Sequence, residues 1–240
     1  MSAPVELSLV VPVYNERESL RILVAEVDRA LAGRRYEIVA VDDGSSDGSL
    51  DELKALKRDH PELHIVALAA NAGQTAAFAA GFRVARGRVV VTLDADLQND
   101  PADIPALVAE LAKSGATAVA GYRVERRDSG WKRLQSRIAN GIRNRLNRET
   151  IRDTGCSLKA FRADALRELA LFNGMHRFLP TLIRMQGGSV REVPVRHRPR
   201  RYGKTKYGMW NRAFRSLADA LAVRWMQRRA LRYRVREELP

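Results

Sequence analysis

The chain has a single cysteine, Cys156, so it holds no internal disulfide and no cysteine cluster for a metal, a usage that suits a reducing compartment. No apolar run approaches the ~18 residues of a membrane span. The first residues lack a basic n-region, and the apolar run Leu7–Val13 is short and preceded by Glu6, so no secretory signal is expected. There is no Gly-x-Gly-x-x-Gly after that run and no Walker A sequence. Both backbone cradles for phosphate are therefore excluded, and phosphate binding falls to a metal ion and basic side chains. Histidine is scarce, with His60, His64, His176 and His197 all outside the acidic loops. Aromatics are few, three Trp, six Tyr and six Phe, with no stacking-platform pattern and no nucleic-acid motif, which argues against a nucleic-acid-binding module despite a net charge of +14. No internal repeat or low-complexity segment is present.

What remains is a globular chain of 240 residues, 45% apolar, long enough for one α/β domain with appended elements. Its charge is unevenly placed. Residues 1–120 carry 12 Lys+Arg against 18 Asp+Glu, and residues 121–240 carry 30 against 10. A basic second half attracts an anion: nucleic acid, a phosphorylated substrate or an acidic membrane surface.

Short apolar runs alternate with helical patterns. Leu7–Val13, Tyr36–Val41, His64–Leu68 and Val89–Leu93 read as strands, and the stretches from Leu20 to Leu31, Leu50–Arg58 and Thr75–Ala85 as helices, with Gly33 closing the first. This spacing predicts βαβ units and a parallel sheet, whose carboxyl strand ends form the ligand crevice. Pro101–Lys113 continues as a helix and Ala116–Gly121 as a strand. Further on come an amphipathic helix from about Trp131 to Leu146, a strand at Leu158–Phe161, a short helix at Ala163–Leu169, a helical stretch at Met175–Met185 and an edge strand at Ser189–His197, interrupted by Pro194. In the basic tail from Asn211 to Arg236, Trp210, Phe214, Leu217, Leu221 and Trp225 form one apolar helical stripe. The stripe suits either packing on the domain or lying in a membrane interface.

The fourth strand exits into Asp94-Ala95-Asp96, with Gln98 beyond and Asp100-Pro101 as a helix start. Two carboxylates at i and i+2 converge well on a hard cation that prefers oxygen, Mg²⁺ or Mn²⁺, completed by a substrate's phosphates. The topology brings Tyr14–Glu16, Asp42–Asp43 and Asp94–Asp96 to one rim. Asp42 and Asp43 suit a base or a ribose hydroxyl there, or the capping of the next helix.

VVPVYNE at Val10–Glu16, VDDGSSDGS at Val41–Ser49, NAGQTAAFAAG at Asn71–Gly81 and LDADLQNDP at Leu93–Pro101 together resemble the inverting family 2 GT-A glycosyltransferases. GYR at Gly121–Arg123, RDTGCSLKAFR at Arg152–Arg162 and RRYGKTKY at Arg200–Tyr207 narrow the resemblance to the polyprenyl-phosphate branch, similar to dolichol-phosphate mannose synthase. The resemblance implies an α/β fold of GT-A type, a Rossmann-like, mostly parallel sheet flanked by helices, over residues 1–209, with C-terminal amphipathic helices in a basic tail at 210–240. It implies that Pro12, Tyr14, Glu16, Asp42, Asp43 and Gln74 hold the donor, that Asp94, Asp96 and Gln98 bind Mg²⁺ or Mn²⁺, and that Arg123, Lys132, Arg133 and Ser136 take the acceptor phosphate. Arg200 and Lys206 would neutralise the donor pyrophosphate; of the residues named, Asp96, Arg123, Arg200 and Lys206 are the catalytic ones. The chain departs from the pattern at Thr205, where the family usually has Ser, and in lacking the transmembrane helices that many members of this branch carry.

The expected activity is that of a hexosyltransferase moving a sugar from a nucleotide-sugar donor, of GDP-mannose or UDP-glucose type, to a polyprenyl phosphate. The chain would sit peripherally on the anionic cytoplasmic face of the membrane. Whether a separate membrane protein or a homo-oligomer takes part stays open. The chemistry agrees with the histidine count, because a phosphate monoester has a second pKa of roughly 6 and attacks without a strong base. A family 2 enzyme with a saccharide acceptor, a nucleic-acid module and a non-catalytic membrane scaffold are the competing readings.

Overall fold

The computed structural model describes residues 4–124, 141, 150–167, 169, 171–202 and 209–230, the last stretch with side chains from Leu217 onward. The chain runs β1 (Leu7–Val13), α1 (Arg17–Ala30), β2 (Tyr36–Asp42), α2 (Ser49–Leu56), β3 (Leu63–Ala67), α3 (Gln74–Val84) and β4 (Val89–Thr92). A 3₁₀ turn, Pro101–Asp103, leads into α4 (Ile104–Ser114), then come β5 (Ala118–Arg123), β6 (Lys159–Arg162) and α5 (Ala163–Arg167). A second 3₁₀ turn, Met175–Phe178, leads into α6 (Leu179–Met185), β7 (Val190–Val195) and α7 (Met209–Arg229). The expected amphipathic helix around Trp131–Leu146 lies outside the described residues.

The seven strands form one sheet in the order β3-β2-β1-β4-β6-β5-β7. β1 is parallel to β2 and β4, β2 to β3, and β5 to β7, whereas β6 runs antiparallel to both β4 and β5. β7 is the outermost strand, where its Pro194 costs no ladder bond.

Both faces of the sheet are covered, as parallel strands require. Leu9 and Val11 of β1 point to one side and pack with Leu20, Leu23 and Val27 of α1, Leu53 of α2 and Leu107 of α4. Val10 points to the other side, against Ala77 and Phe78 of α3, and Phe161, Leu182 and Val223 share that second core. α3 comes so close that a Cβ on Gly81 would lie 2.3 Å from Val10 Cγ1. The last helix, α7, joins this face through Ala220 and Val223, with Met226 packed against them. Leu217, Leu221 and Trp225, the described part of the expected apolar stripe, are instead exposed. Two apolar faces compete on one helix, and the smaller side chains win the close contact. No described helix is long and apolar enough to cross a membrane.

Candidate functional site

The carboxyl ends of β1, β2, β3 and β4 open on one rim, and their loops are bonded into a continuous edge. Asn15, which follows β1, sits at φ +52°; its amide donates to Ser45 Oγ (3.0 Å) and its Oδ1 accepts from the Ser46 amide (2.8 Å). The Glu16 amide donates to Ser49 Oγ at 3.0 Å and the Arg17 amide to Asp47 Oδ2 at 3.1 Å. The first two loops therefore hold each other, with Pro12 one register step inside the rim opposite Val41.

Asp42 and Asp43 divide into two jobs. Asp43 accepts from the amides of Ala72 (2.7 Å) and Gly73 (2.9 Å) and from Asn71 Nδ2 (3.0 Å), so its carboxylate builds the loop before α3. Asp42 accepts from the Ser45 amide through Oδ2, while its buried Oδ1 has no hydrogen-bond partner among the described residues. A buried carboxylate oxygen without a donor is costly, and a ligand N–H or O–H relieves that cost. Gly44 lies between these strands of contact at φ +69°, with Asn71 N only 2.6 Å from where its Cβ would be, so no larger residue fits there.

Gln74 opens α3 and donates through Nε2 to Asp94 Oδ1 at 2.7 Å. Its neighbour Thr75 fixes the helix start, with Oγ1 accepting from the Gly174 amide (2.9 Å) and bonded to His176 Nδ1 (2.8 Å). Burial holds the His176 pKa at about 3, so that ring is neutral. Burial, and then the neighbouring charge of Asp96, push the Asp94 carboxyl up to about 6. Asp96 accepts from the Gln98 amide through Oδ1 (3.1 Å) and from Arg200 Nη2 through Oδ2 (2.6 Å). The other arm of Arg200, Nη1, reaches Glu16 Oε1 at 3.1 Å. Between Asp96 and Gln98, Leu97 stands at φ +61° with its side chain buried. Asn15 and Leu97 are the non-glycine residues at positive φ among those described, and both shape this rim. For leucine that conformation costs about 1 kcal/mol or more, and its burial in the main core holds it.

Two carboxylates two positions apart, one of them resisting ionisation beside the other, with a guanidinium already laid across the second, make an oxygen-donor set that fits Mg²⁺ or Mn²⁺. Gln98 is tied in by its backbone, its amide to Asp96 and its carbonyl accepting from the Arg198 amide at 2.8 Å. Another group of metal-capable side chains, Asp28, His60 and Glu62, lies at the amino end of β2, away from this rim, where His60 Nδ1 bridges the two acids at 3.2 and 3.0 Å.

Beyond β4 the site turns basic. Arg123, the last residue of β5, forks onto Asp153, Nε to Oδ2 at 2.6 Å and Nη2 to Oδ1 at 2.9 Å. Beneath it Lys159 of β6 is buried and donates to the Cys156 carbonyl, and burial pulls its pKa down. Ser157 accepts from Asn99 Nδ2 at 2.6 Å and hydrogen-bonds Asp94. Asp153, Ser157 and Lys159 all lie in the RDTGCSLKAFR stretch, a motif whose sequence alone does not single out these members. Cys156 is buried, and burial pushes its thiol up to about 11, so it is unreactive. Lys132, Arg133, Ser136 and Lys206 lie outside the described residues.

A parallel-edged α/β sheet with an acidic rim on one side and an arginine-rich flank on the other is the architecture of a GT-A glycosyltransferase. The family described as glycosyl transferase family 2 matches residues 8–170, and the chain belongs to it. It is 40% identical over 229 residues to a dodecaprenyl-phosphate galacturonate synthase of Rhizobium johnstonii, covering 93% of this chain and 68% of that one. It is also 40% identical over 206 residues to an undecaprenyl-phosphate 4-deoxy-4-formamido-L-arabinose transferase of Edwardsiella ictaluri, covering 85% of this chain and 63% of the relative. Among solved structures it resembles glucosyl-3-phosphoglycerate synthase of Mycobacterium tuberculosis with Mn²⁺, UDP and glucosyl-3-phosphoglycerate (TM-score 0.70, 16% identity, 92% of this chain and 79% of that chain). It also resembles the mannosyltransferase PcManGT of Pyrobaculum calidifontis with GDP-Man and Mn²⁺ (TM-score 0.66, 23% identity, 92% and 66%). At these identities the structural likeness speaks for the fold.

Proposed function

We propose that the protein transfers a sugar from a nucleotide-sugar donor to a polyprenyl phosphate, with inversion at the anomeric carbon. The observation that carries this reading is the acidic rim: Asp94 and Asp96 side by side, Gln74 and Arg200 on their flanks, and Asp42 Oδ1 buried without a partner next along the edge. Asp42, with Tyr14 and Glu16, holds the nucleoside. Asp94 and Asp96, with Gln98 beside them, would hold Mg²⁺ or Mn²⁺, which when bound would supply positive charge toward the departing diphosphate. Arg123, oriented by Asp153, presents its guanidinium to the acceptor phosphate, together with Lys132, Arg133 and Ser136.

An acceptor phosphate oxygen forms the new bond to the anomeric carbon as the bond from that carbon to the nucleoside diphosphate breaks. The electron pair leaves with the diphosphate, which Arg200 and Lys206 neutralise. The acceptor is already an anion, so no residue has to take a proton. The names of the two relatives support a polyprenyl-phosphate acceptor. Residues 1–209 carry the transfer and residues 210–240 attach the protein to an anionic membrane surface, the exposed Leu217, Leu221 and Trp225 facing the lipid on the cytoplasmic side. The test is a screen of nucleotide sugars with polyprenyl phosphate and Mg²⁺ or Mn²⁺, reading out a lipid-linked sugar. The Asp96→Asn variant is expected to lose at least about a hundredfold in turnover, as for removal of a main transition-state charge partner. Near-normal turnover in that variant would remove the metal site from the mechanism.

A further inference from the structure

Arg200 is expected to meet the donor's diphosphate, yet in this structure both of its terminal nitrogens pair with acids. Its Nη2 lies 2.6 Å from Asp96 Oδ2 and its Nη1 3.1 Å from Glu16 Oε1, and both carboxylates are nearly buried. The other oxygen of Asp96 already accepts from the Gln98 amide. The segment leading to Arg200 is fastened along the same loop. Arg196 pairs with Asp103 and Asp100, and Arg198 with Glu26 and Asp100. The Arg198 amide donates to the Gln98 carbonyl, and Asn99 pairs with His197 across an isolated bridge. Arg200 thus reaches Asp96 from just beyond a strap of ion pairs.

We infer that Arg200 is the built-in counter-cation of the acidic rim: it occupies Asp96 and Glu16 until a divalent cation arrives, and it moves to the donor's diphosphate when the cation takes Asp96. This rests on the metal-site reading given above and adds an order of events to it. A divalent cation alone competes with the protein's own guanidinium for Asp96 Oδ2. A nucleoside diphosphate offers Arg200 a replacement anion of equal or greater charge, in a bidentate geometry that guanidinium favours. Each ligand therefore lowers the cost of binding the other, and by linkage the enhancement is reciprocal. Arg200 is on this view a positioning residue for the metal and a direct contact of the diphosphate, in alternation.

The experiment measures Mn²⁺ affinity of the full chain, by electron paramagnetic resonance or calorimetry, first alone and then with UDP or GDP present. Wild type is expected to bind Mn²⁺ weakly alone and markedly more tightly with the nucleotide. Arg200→Gln is expected to bind Mn²⁺ alone about tenfold more tightly than wild type, the equivalent of removing one charge-assisted competitor. The same variant should show a much smaller gain from nucleotide. Arg200→Lys keeps a cation at the position and should stay near wild type in metal affinity. Arg200→Gln binding Mn²⁺ no more tightly than wild type overturns the inference, since an arginine that served the diphosphate alone would leave metal affinity unchanged. Asp96→Asn separates the two levels. If that variant binds Mn²⁺ as wild type does, the metal-site reading itself fails; if it loses Mn²⁺ while Arg200→Gln gains it, both stand.

Discussion

In the first half of the chain three carboxylates of the rim are held by neutral donors: Asp43 by two backbone amides and Asn71, Asp94 by Gln74, Asp42 by the Ser45 amide. In the second half the arginines that meet this rim are held by acids of the first half. Arg196, Arg198 and Arg200, at alternate positions, reach Asp103, Glu26, Asp100, Asp96 and Glu16. The acidic and basic halves seen in the composition are thus joined across a seam of ion pairs. The two kinds of support behave differently. Amide donors cannot leave, so the first half is preorganised. Partly exposed ion pairs contribute little individually and exchange readily for phosphate, so the second half can rearrange around a substrate without loss of the fold.

The strongest way to break this contrast is at Asp43. Replacing it with alanine leaves the Ala72 and Gly73 amides without their acceptor and Asn71 Nδ2 with the Asp43 backbone carbonyl alone. The expected loss is about 3 kcal/mol of unfolding free energy, readable by chemical denaturation. Asp47→Ala, at an exposed residue of the neighbouring loop, is expected to cost under about 1 kcal/mol. Equal losses at the two positions would mean that the first half is not held as described.

Much of the fold was legible because it is local. β1 forms over the expected Leu7–Val13; β2, β3 and β4 differ from their expected ends by one residue, and the outer place of β7 follows from Pro194. Convergence of the acidic loops followed from strand direction alone. What the sequence hid depends on partners far along the chain. Nothing near Arg198 announces Glu26, 172 positions away, and nothing near Asp43 announces that the turn at Asn71–Gly73 takes its oxygens. The left-handed backbone at Leu97 contradicts its residue type and is visible only where burial compensates for it. On α7 the period revealed a helix and an apolar stripe, but it could not show that Ala220 and Val223 make the buried contact while the bulkier stripe faces out.

A smaller effect is expected inside the second half. Arg123 and Asp153 form a two-bond fork with both side chains mostly buried. Lysine offers a single point charge in place of the planar fork, so Arg123→Lys should lower stability by about 1–2 kcal/mol. A double-mutant cycle with Asp153→Asn isolates the pair. A coupling near zero would place Arg123 with the loosely held strap arginines, and a coupling above about 1 kcal/mol would set it apart from them as rigidly held.

The smallest effect on the fold, and a specific one on location, belongs to Trp225. Its side chain is 63% exposed, on the same side of α7 as Leu221 and Leu217, while Ala220 and Val223 face the core. A tryptophan left outside by a helix that meets the core through Ala220 and Val223 contributes little to folding, so Trp225→Ser should change stability by no more than about 0.5 kcal/mol. If the outward stripe meets lipid, the same change removes apolar area from the bound state only. About 50–60 Å² of buried apolar surface is worth roughly 1.4 kcal/mol, a tenfold weaker partition onto anionic vesicles in a sedimentation assay. Arg228→Gln should weaken binding too, and only at low salt, because its contribution is screened. Unchanged vesicle binding in Trp225→Ser would assign the exposed stripe to a protein partner or a second copy of this chain, and the contrast between a fixed first half and an adaptable second half would then stop at the arginine strap.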